Sequence, residues 1–275
     1  MPELPEVETT RSGLAPWVEG AKLQGVEVRN AGLRWPVVEK DLNKLVGGRV
    51  QSLERRAKYL LFNFPERSLL LHLGMSGSMR ILDPREPVKK HDHLDFLFKR
   101  PGEVEMVMRF NDPRRFGCCL VINPPISEHS LLRNLGPEPL SASFDGDHLY
   151  QRARGKKVAV KNFIMDGHVV VGVGNIYASE ALFLAGISPG TAAGRLSRPK
   201  YRQLALAIQS VLEKAIKAGG TTLSDFSQSD GQPGYFKQEL QVYGRAGEPC
   251  YRCSAVIRSR VLGQRNTYYC SSCQR

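Results

Sequence analysis

The sequence has no long hydrophobic run. No segment of its 275 residues approaches the ~20 consecutive apolar residues that a membrane-spanning helix needs. The first residues, MPELPEVETT, lack the basic and apolar regions of a secretory signal. Internal repeats and low-complexity tracts are also missing. We therefore expect a globular protein that stays in the cytoplasm and has no membrane partner.

Acidic residues are in the minority. The chain has 39 Lys and Arg against 27 Asp and Glu, which gives a net charge of +12 and a pI near 9.6. Such a balance favours a polyanionic partner, although some basic proteins have none. The acid-free stretch between Asp147 and Asp166 either follows a phosphate backbone or forms a solvated face. Its basic residues are Arg152, Arg154, Lys156, Lys157 and Lys161.

Cysteine is scarce except at the carboxyl end. Cys118 and Cys119 lie in an apolar segment and are interpreted as buried strand residues. The other four, which form two CxxC pairs sixteen residues apart, predict one tetrahedral zinc site without an open position, hence a structural zinc. Arginines and apolar residues alternate between the pairs and predict a β-hairpin, which is either a nucleic-acid contact or a solvated basic face. The ligands are Cys250, Cys253, Cys270 and Cys273.

The two halves of the chain have different periodicities. Short apolar runs between turn signals predict a β-sandwich or barrel in the first half. A segment rich in Pro and Gly at 124–140 marks a domain boundary, and helical spacing over 199–218 predicts a long helix. A polar loop follows at 221–235. The predicted strands are Val26–Val28, Tyr59–Phe64, Leu69–Leu73, Leu94–Phe98, Val104–Phe110 and Cys118–Ile122.

A glycine turn precedes a second predicted helix, at 176–185. Backbone N–H groups at such a turn bind anions, and Gly172-Val173-Gly174-Asn175 has this form. The acidic residue of a dinucleotide fold does not follow, so a DNA phosphate is the better ligand, and we expect no organic cofactor.

Pro2 follows the initiator methionine. Removal of Met1, which a small second residue permits, would leave a secondary amine, and the pKa of a terminal amino group is ordinarily roughly 8. Such an amine is partly neutral, so it could attack a sugar C1′ and form an iminium, and Glu3 could move protons. Residue chemistry alone leaves open the alternative that Pro2 has no role.

Motifs along nearly the whole chain resemble bacterial formamidopyrimidine-DNA glycosylase, which removes 8-oxoguanine and ring-opened purines. The matching segments are PELPEVET, RRAKYLL, HLGMSG, KHDHLD, NDPRRFG, NLGPEPL, VGVGNIYASEALF, GGTTLSDF, SDGQPGYF, QVYGRAGEPC and the paired CxxC with QRNTYYC. The resemblance implies an α+β fold: an N-terminal β-sandwich flanked by helices at 1–130, a helix–two-turn–helix domain at 131–240 and a zinc-finger β-hairpin at 241–275. It also implies a monomer that binds damaged double-stranded DNA.

The resemblance also implies residue roles in base flipping, Schiff-base formation and β,δ-elimination. Pro2 would be the nucleophile, Glu3 the general acid, Lys58 an aid to β-elimination, and Arg265 an aid to δ-elimination that also grips phosphate. The loop at 221–235 would cover the damaged base. The DNA-contacting residues would be His91, Arg114, Lys156 and Asn175, with Met75, Arg114 and Phe116 filling the gap left by the flipped base.

Two other interpretations stay open. An oxidised-pyrimidine glycosylase of the endonuclease VIII type would more often begin PEGPE, whereas this chain has Leu4. A non-catalytic zinc-containing nucleic-acid-binding protein would explain the charge and the cysteines but would leave Pro2, Glu3 and Lys58 without a role. One departure from the family is Ser254, where glycine is common after the second zinc cysteine.

Overall fold

The computed structural model describes residues 2–219 and 240–275, which form two compact units. The first unit extends to Arg133, and the second comprises Asn134–Lys217 and the described residues from 240 onward. The chain therefore passes between the units inside the segment rich in Pro and Gly. The finer division at 130 and 240 stays a prediction, and the predicted loop at 221–235 lies outside the described residues. Within those residues, no helix has the length and apolarity to cross a membrane.

Two four-stranded antiparallel sheets form the first unit, in the orders β1-β6-β7-β5 and β2-β3-β4-β8. The predicted sandwich is confirmed. The strands are β1 Lys22–Val28, β2 Ser52–Arg56, β3 Tyr59–Asn63, β4 Ser68–His72, β5 Ser78–Leu82, β6 Asp92–Lys99, β7 Met106–Asn111 and β8 Cys118–Ile122.

One hydrophobic core joins both sheets to the first helix. Phe62 of β3 and Phe96 of β6 are fully buried in the same cluster, together with Val7 and Leu14 of helix α1 (Leu4–Val18). Burial of each such large apolar side chain stabilises the fold by roughly 1.5–3 kcal/mol. The core therefore fixes α1, and with it the amino-terminal residues, against the sandwich. This unit also contains a short α-helix, α2 (Glu39–Asn43), and a 3-10 helix at Ile126–Glu128.

Helices dominate the second unit. They are α3 Gly146–Ala153, α4 Val160–Ile164, α5 Asn175–Leu184 and α6 Arg198–Lys217, and β9 Arg258–Leu262 pairs with β10 Arg265–Tyr269 in an antiparallel hairpin. The apolar face of α6 includes Leu204, Ile208 and Leu212, which are almost completely buried. The helical domain and the arginine-rich hairpin expected from the sequence are both present.

Glu180 of α5 holds the chain that leads to the hairpin. Its buried carboxylate accepts hydrogen bonds from the backbone N–H groups of Gln241, Val242 and Tyr243, at 2.8, 2.9 and 2.9 Å. Burial nevertheless raises the pKa of Glu180 above its usual value. Because three donors converge on one carboxylate, the position of residues 241–243 is fixed by α5.

Candidate active site and zinc centre

Pro2 and Glu3 are buried at the start of α1. Glu3 is the N-cap residue of the helix, and its backbone N–H donates to Glu6 Oε2 at 2.8 Å in a capping box. Since the N-terminal end of a helix carries partial positive charge, a carboxylate at this position is favoured electrostatically. The fold thus places the predicted nucleophile and the predicted general acid at a rigid and anion-stabilising helix end.

Lys58 lies in the two-residue turn between β2 and β3, where Ala57 adopts φ = 55°. Arg55 connects this turn to α1. Its Nε donates to Glu8 Oε2 at 2.8 Å, and its Nη1 donates to the Ala57 carbonyl oxygen at 3.0 Å. Arg55 therefore couples the helix that follows Pro2 to the turn that carries Lys58, and sequence reasoning did not single it out.

The pKa of His72, the last residue of β4, is affected by the charge of Lys58. Burial lowers the pKa of His72 to about 4, and the nearby charges of Lys58 and Arg34 contribute to this shift. The imidazole is therefore neutral at physiological pH. Its Nδ1 accepts a hydrogen bond from the backbone N–H of Gly74 at 2.9 Å, which fixes the turn that leads to Met75.

Asp112, which is fully buried, joins the segments that carry four of the predicted DNA contacts. Its Oδ1 accepts from Ser76 Oγ at 2.7 Å, next to Met75, and its Oδ2 accepts from the Gly117 N–H at 2.8 Å, next to Phe116. Its own backbone N–H donates to the His91 carbonyl oxygen at 3.1 Å. One residue, through its carboxylate and its backbone N–H, therefore organises the loops of Met75, His91, Arg114 and Phe116.

Asp112 also holds the neighbouring His93 in place. The Nε2 atom of His93 is 2.8 Å from the Asp112 carbonyl oxygen, in the buried interior. Among the described residues, the four cysteines are the one group of three or more potential ligands that is suited to a metal. His93 is therefore a buried residue of the interior, whereas His91 lies in the loop before β6.

The loop of residues 113–116 is exposed. The Arg114 guanidinium lies 4.7 Å from the centre of the Phe116 ring, and 44% of Phe116 is exposed. Met75 is half-buried. A Cβ on Gly74, whose φ is 68°, would lie 2.4 Å from the Gly117 nitrogen, so glycine is required for the two loops to meet. Phe116 and Arg114 therefore form an exposed aromatic–cation pair rather than part of the core.

In the second unit, Asn175 begins α5 and is half-buried. Its Nδ2 donates to the Asn266 carbonyl oxygen of β10 at 3.0 Å. The Lys161 ammonium group donates hydrogen bonds to Asn175 Oδ1 and, at 2.7 Å, to Thr267 Oγ1. Because Lys161 is completely buried, it belongs neither to a solvated face nor to a surface that follows a phosphate backbone, and its inclusion in the basic stretch is wrong. It anchors the hairpin on α4 and α5.

Lys156 and Arg265, by contrast, are exposed. Lys156 lies in the turn after α3 and lines a cleft of about 420 Å³ together with Arg152 and Asn162. Arg265 is the first residue of β10. Both cationic side chains are therefore accessible to an anionic ligand.

The four predicted zinc ligands converge. All four Sγ atoms lie within 4.8 Å of one another, with 4.0 Å between Cys250 and Cys273 and 3.5 Å between Cys253 and Cys270. Thiolates around a tetrahedral zinc with bonds of about 2.3 Å would be roughly 3.8 Å apart. The cysteines therefore fit one zinc ion, and Ser254 adopts φ = 59° directly after the second of them.

Comparison with known proteins gives the family. The models of the formamidopyrimidine-DNA glycosylase N-terminal domain, the H2TH domain of that enzyme and the zinc finger found in FPG and IleRS match residues 1–119, 135–227 and 247–275. Formamidopyrimidine-DNA glycosylases of Magnetococcus marinus and Alcanivorax borkumensis are 55% and 56% identical to the chain, over 100% of both sequences in each case. The chain belongs to the formamidopyrimidine-DNA glycosylase family.

Solved structures of the family have the same fold. The chain superposes on Lactococcus lactis Fpg, in a complex with DNA containing an abasic site, with a TM-score of 0.91, 33% identity and 99% coverage of both chains. For Thermus thermophilus MutM (FPG) the TM-score is 0.87 and the identity 38%, over 99% of this chain and 98% of that one.

Membership in the formamidopyrimidine-DNA glycosylase family confirms the predicted fold class, the glycosylase and lyase activities and the single structural zinc. It does not favour an oxidised-pyrimidine glycosylase or a non-catalytic binding protein. The family match assigns no role to an individual side chain, so the catalytic and DNA-contacting residues are still predictions.

Proposed function

We propose that this chain excises 8-oxoguanine and formamidopyrimidines from double-stranded DNA and cuts the strand, with Pro2 as the nucleophile. The observation that carries the residue assignment is the burial of Pro2 and Glu3 at the capped start of α1, coupled through Arg55 to the turn of Lys58. The protein would act as a monomer in the cytoplasm, associated with the nucleoid through DNA binding.

The reaction starts with extrusion of the damaged nucleotide, which costs a few kcal/mol because stacking and pairing are lost. Met75, Arg114 and Phe116 supply a half-buried apolar side chain and an exposed cation–aromatic pair. Such groups can occupy the vacated stack and offset part of the cost. His91, Lys156 and Asn175 would bind the backbone on either side.

Pro2 then attacks C1′ with its neutral secondary amine, and the bond from C1′ to the damaged base breaks. The proline nitrogen loses its proton, and Glu3 donates a proton to the sugar ring oxygen as the bond from C1′ to that oxygen breaks. The nitrogen lone pair then forms an iminium with C1′, and the iminium withdraws electrons for elimination. Lys58 assists β-elimination of the 3′ phosphate. Arg265 supports δ-elimination of the 5′ phosphate. The zinc, held by Cys250 and its three partners, stabilises the hairpin of Arg265 and takes no part in the chemistry.

Borohydride trapping tests the nucleophile. Reduction of the iminium on an 8-oxoguanine:C duplex should give a stable protein–DNA adduct, and Pro2→Gly should strongly reduce its yield. Pro36→Gly, at an exposed proline of the same unit, is the matched control and should leave the yield unchanged. A wild-type protein that binds this duplex but gives no adduct would show that the nucleophile is assigned wrongly.

Two further measurements complete that test. Intact mass of the active protein should show loss of Met1, because a Pro2 nitrogen within a peptide bond is not nucleophilic. Retention of Met1 would exclude the mechanism even if DNA binding persisted.

A duplex that contains thymine glycol distinguishes the proposed purine specificity from that of an oxidised-pyrimidine glycosylase. An oxidised-pyrimidine enzyme would be trapped on thymine glycol more efficiently than on 8-oxoguanine.

A further inference from the structure

A largely buried network of ion pairs is centred on strands β6 and β7, and the reaction above does not use it. Arg109 of β7 is 2% exposed and donates two hydrogen bonds of 2.8 Å to the carboxylate of Asp95. Arg29 donates to Asp95 at 2.6 Å and to Glu27 at 2.8 Å. A third guanidinium, Arg80, donates to Asp92 at 2.7 Å. Three cations and three carboxylates make the network formally neutral.

The network holds the backbone of the loop between β5 and β6. Arg109 Nη1 donates to the carbonyl oxygens of Glu86 and Pro87, both at 3.1 Å. Asp92 Oδ2 accepts from the Lys89 N–H at 2.8 Å. Such bonds to buried charged groups are stronger than hydrogen bonds between neutral groups. The loop therefore has a fixed conformation although its side chains are exposed.

Three more hydrogen bonds fix the end of the loop. Asn111 Nδ2 donates to the Lys90 carbonyl oxygen at 3.1 Å and to Asp92 Oδ1 at 2.8 Å. The carbonyl oxygen of His91, whose φ is 73°, accepts from the Asp112 N–H at 3.1 Å. Asp112 also organises the loops of Met75 and Phe116, so this loop shares its support with the predicted wedge.

The rigid loop presents consecutive basic side chains. Lys89 and Lys90 are both exposed, and they directly precede His91, a predicted DNA contact. Since the network is neutral within itself, it does not cancel their charge. A fixed backbone that presents two ammonium groups beside a predicted DNA contact suits a chain of phosphodiesters, whose charges repeat along the strand.

We propose that Lys89 and Lys90 bind phosphodiester groups of the DNA backbone, and that Arg109 is the positioning residue that holds their loop in the binding conformation. The inference rests on the proposed function because it takes duplex DNA as the ligand. It adds Lys89 and Lys90 to the predicted DNA contacts and assigns Arg109 the role of supporting them.

The salt dependence of DNA affinity tests the two lysines. Each phosphate contact contributes about 0.9 to the slope of log affinity against log salt, so Lys89→Gln with Lys90→Gln should lower the slope by about 1.8 and raise Kd. The probe is a fluorescent duplex with a tetrahydrofuran abasic analogue, measured by anisotropy. Lys40→Gln with Lys99→Gln is the control, since both lysines are exposed in the same unit and the net charge changes equally.

An unchanged slope for the control and a reduced slope for the loop variant support the proposal. Equal changes in both variants would show that the lysines act through net charge alone and would overturn it. Borohydride trapping of the wild type is a separate measurement, so failure of the proposed chemistry is distinguishable from failure of this contact.

The positioning role of Arg109 is tested by whether the effect of its substitution on DNA affinity depends on the presence of Lys89 and Lys90. Arg109→Lys keeps the charge but cannot donate to Asp95 and to two carbonyl groups in the same geometry. It should raise Kd by at least about 2-fold in the wild type and have no further effect in the doubly substituted lysine background. A general loss of structure would weaken both backgrounds equally and would refute the positioning role.

Asn111→Ala provides a second route if Arg109→Lys does not fold. It removes the support of the Lys90 carbonyl group at a half-buried position. Circular dichroism establishes that the variant is folded. The same dependence on the lysine background is expected, and its absence would count against the positioned loop.

Discussion

Asp112 shows how much a single side chain can organise. It is fully buried, and its two carboxylate oxygens accept from different loops, through Ser76 Oγ and the Gly117 N–H. Family motifs in the sequence identify Arg114 and Phe116 beside it, but they do not show that Asp112 holds these residues. Its partners lie up to 36 positions away in the chain. Only the folded contacts reveal this function.

An Asp112→Asn substitution should therefore destabilise the protein and loosen the wedge. The amide has one acceptor oxygen, so either the Ser76 or the Gly117 bond is lost and a buried donor is left unpaired, at a cost of about 1–3 kcal/mol. Urea unfolding measures this loss. Asp83→Asn is the control, because that carboxylate is exposed and its substitution should leave the urea midpoint almost unchanged. Equal effects at the two positions would contradict the role given to Asp112.

At the scale of the elements, periodicity identified most of the strands but missed two. The apolar run at 118–122 matches β8, and 199–218 differs from α6 by one residue at each end. Strand β2, SLERR, escaped because its side chains are mostly polar and charged. It is held by pairing with β3 and by the bond from Arg55 to Glu8, which are tertiary interactions that a local pattern does not contain. Strand β5 was missed as well.

The turn at Ser254 gives a prediction about the zinc hairpin. Its φ of 59° is a left-handed conformation that glycine adopts without steric cost. Ser254→Gly should therefore stabilise the folded zinc-bound turn by up to about 1 kcal/mol. Thermal unfolding of the zinc-loaded protein measures the effect. Ser271→Gly, within the second CxxC, is the control and should give no stabilisation; an equal gain there would argue against relief of strain at Ser254.

At the scale of the whole molecule, the predicted site residues are spread over both units, from Pro2 in the first to Arg265 in the second. Spacing alone predicted the zinc ligands, because four cysteines in two CxxC pairs restrict the geometry tightly. The other site residues came from resemblance to a family, since nothing in their spacing relates them. Lys161 was misread because its partners, Asn175 and Thr267, are distant in sequence.

Loss of zinc should affect DNA binding without touching the nucleophile. Cys253→Ser should abolish the stoichiometric zinc, disorder the hairpin of Arg265 and weaken binding to the abasic-analogue duplex. Atomic emission measures zinc, and anisotropy measures binding. Cys118→Ser is the control, because this cysteine lies in β8 and should leave one zinc per chain. Full DNA affinity in the zinc-free variant would disprove the role of the hairpin.

The burial of Pro2 has a practical consequence for how this enzyme is prepared. A purification tag left on the amino terminus would turn the proline nitrogen into an amide and would place extra chain beside a side chain that is enclosed by the fold. Such a preparation would still bind zinc and present its basic surface. Under the proposed mechanism it would be inactive for a reason unrelated to folding, so assays of this protein need a leader that is removed to leave proline first.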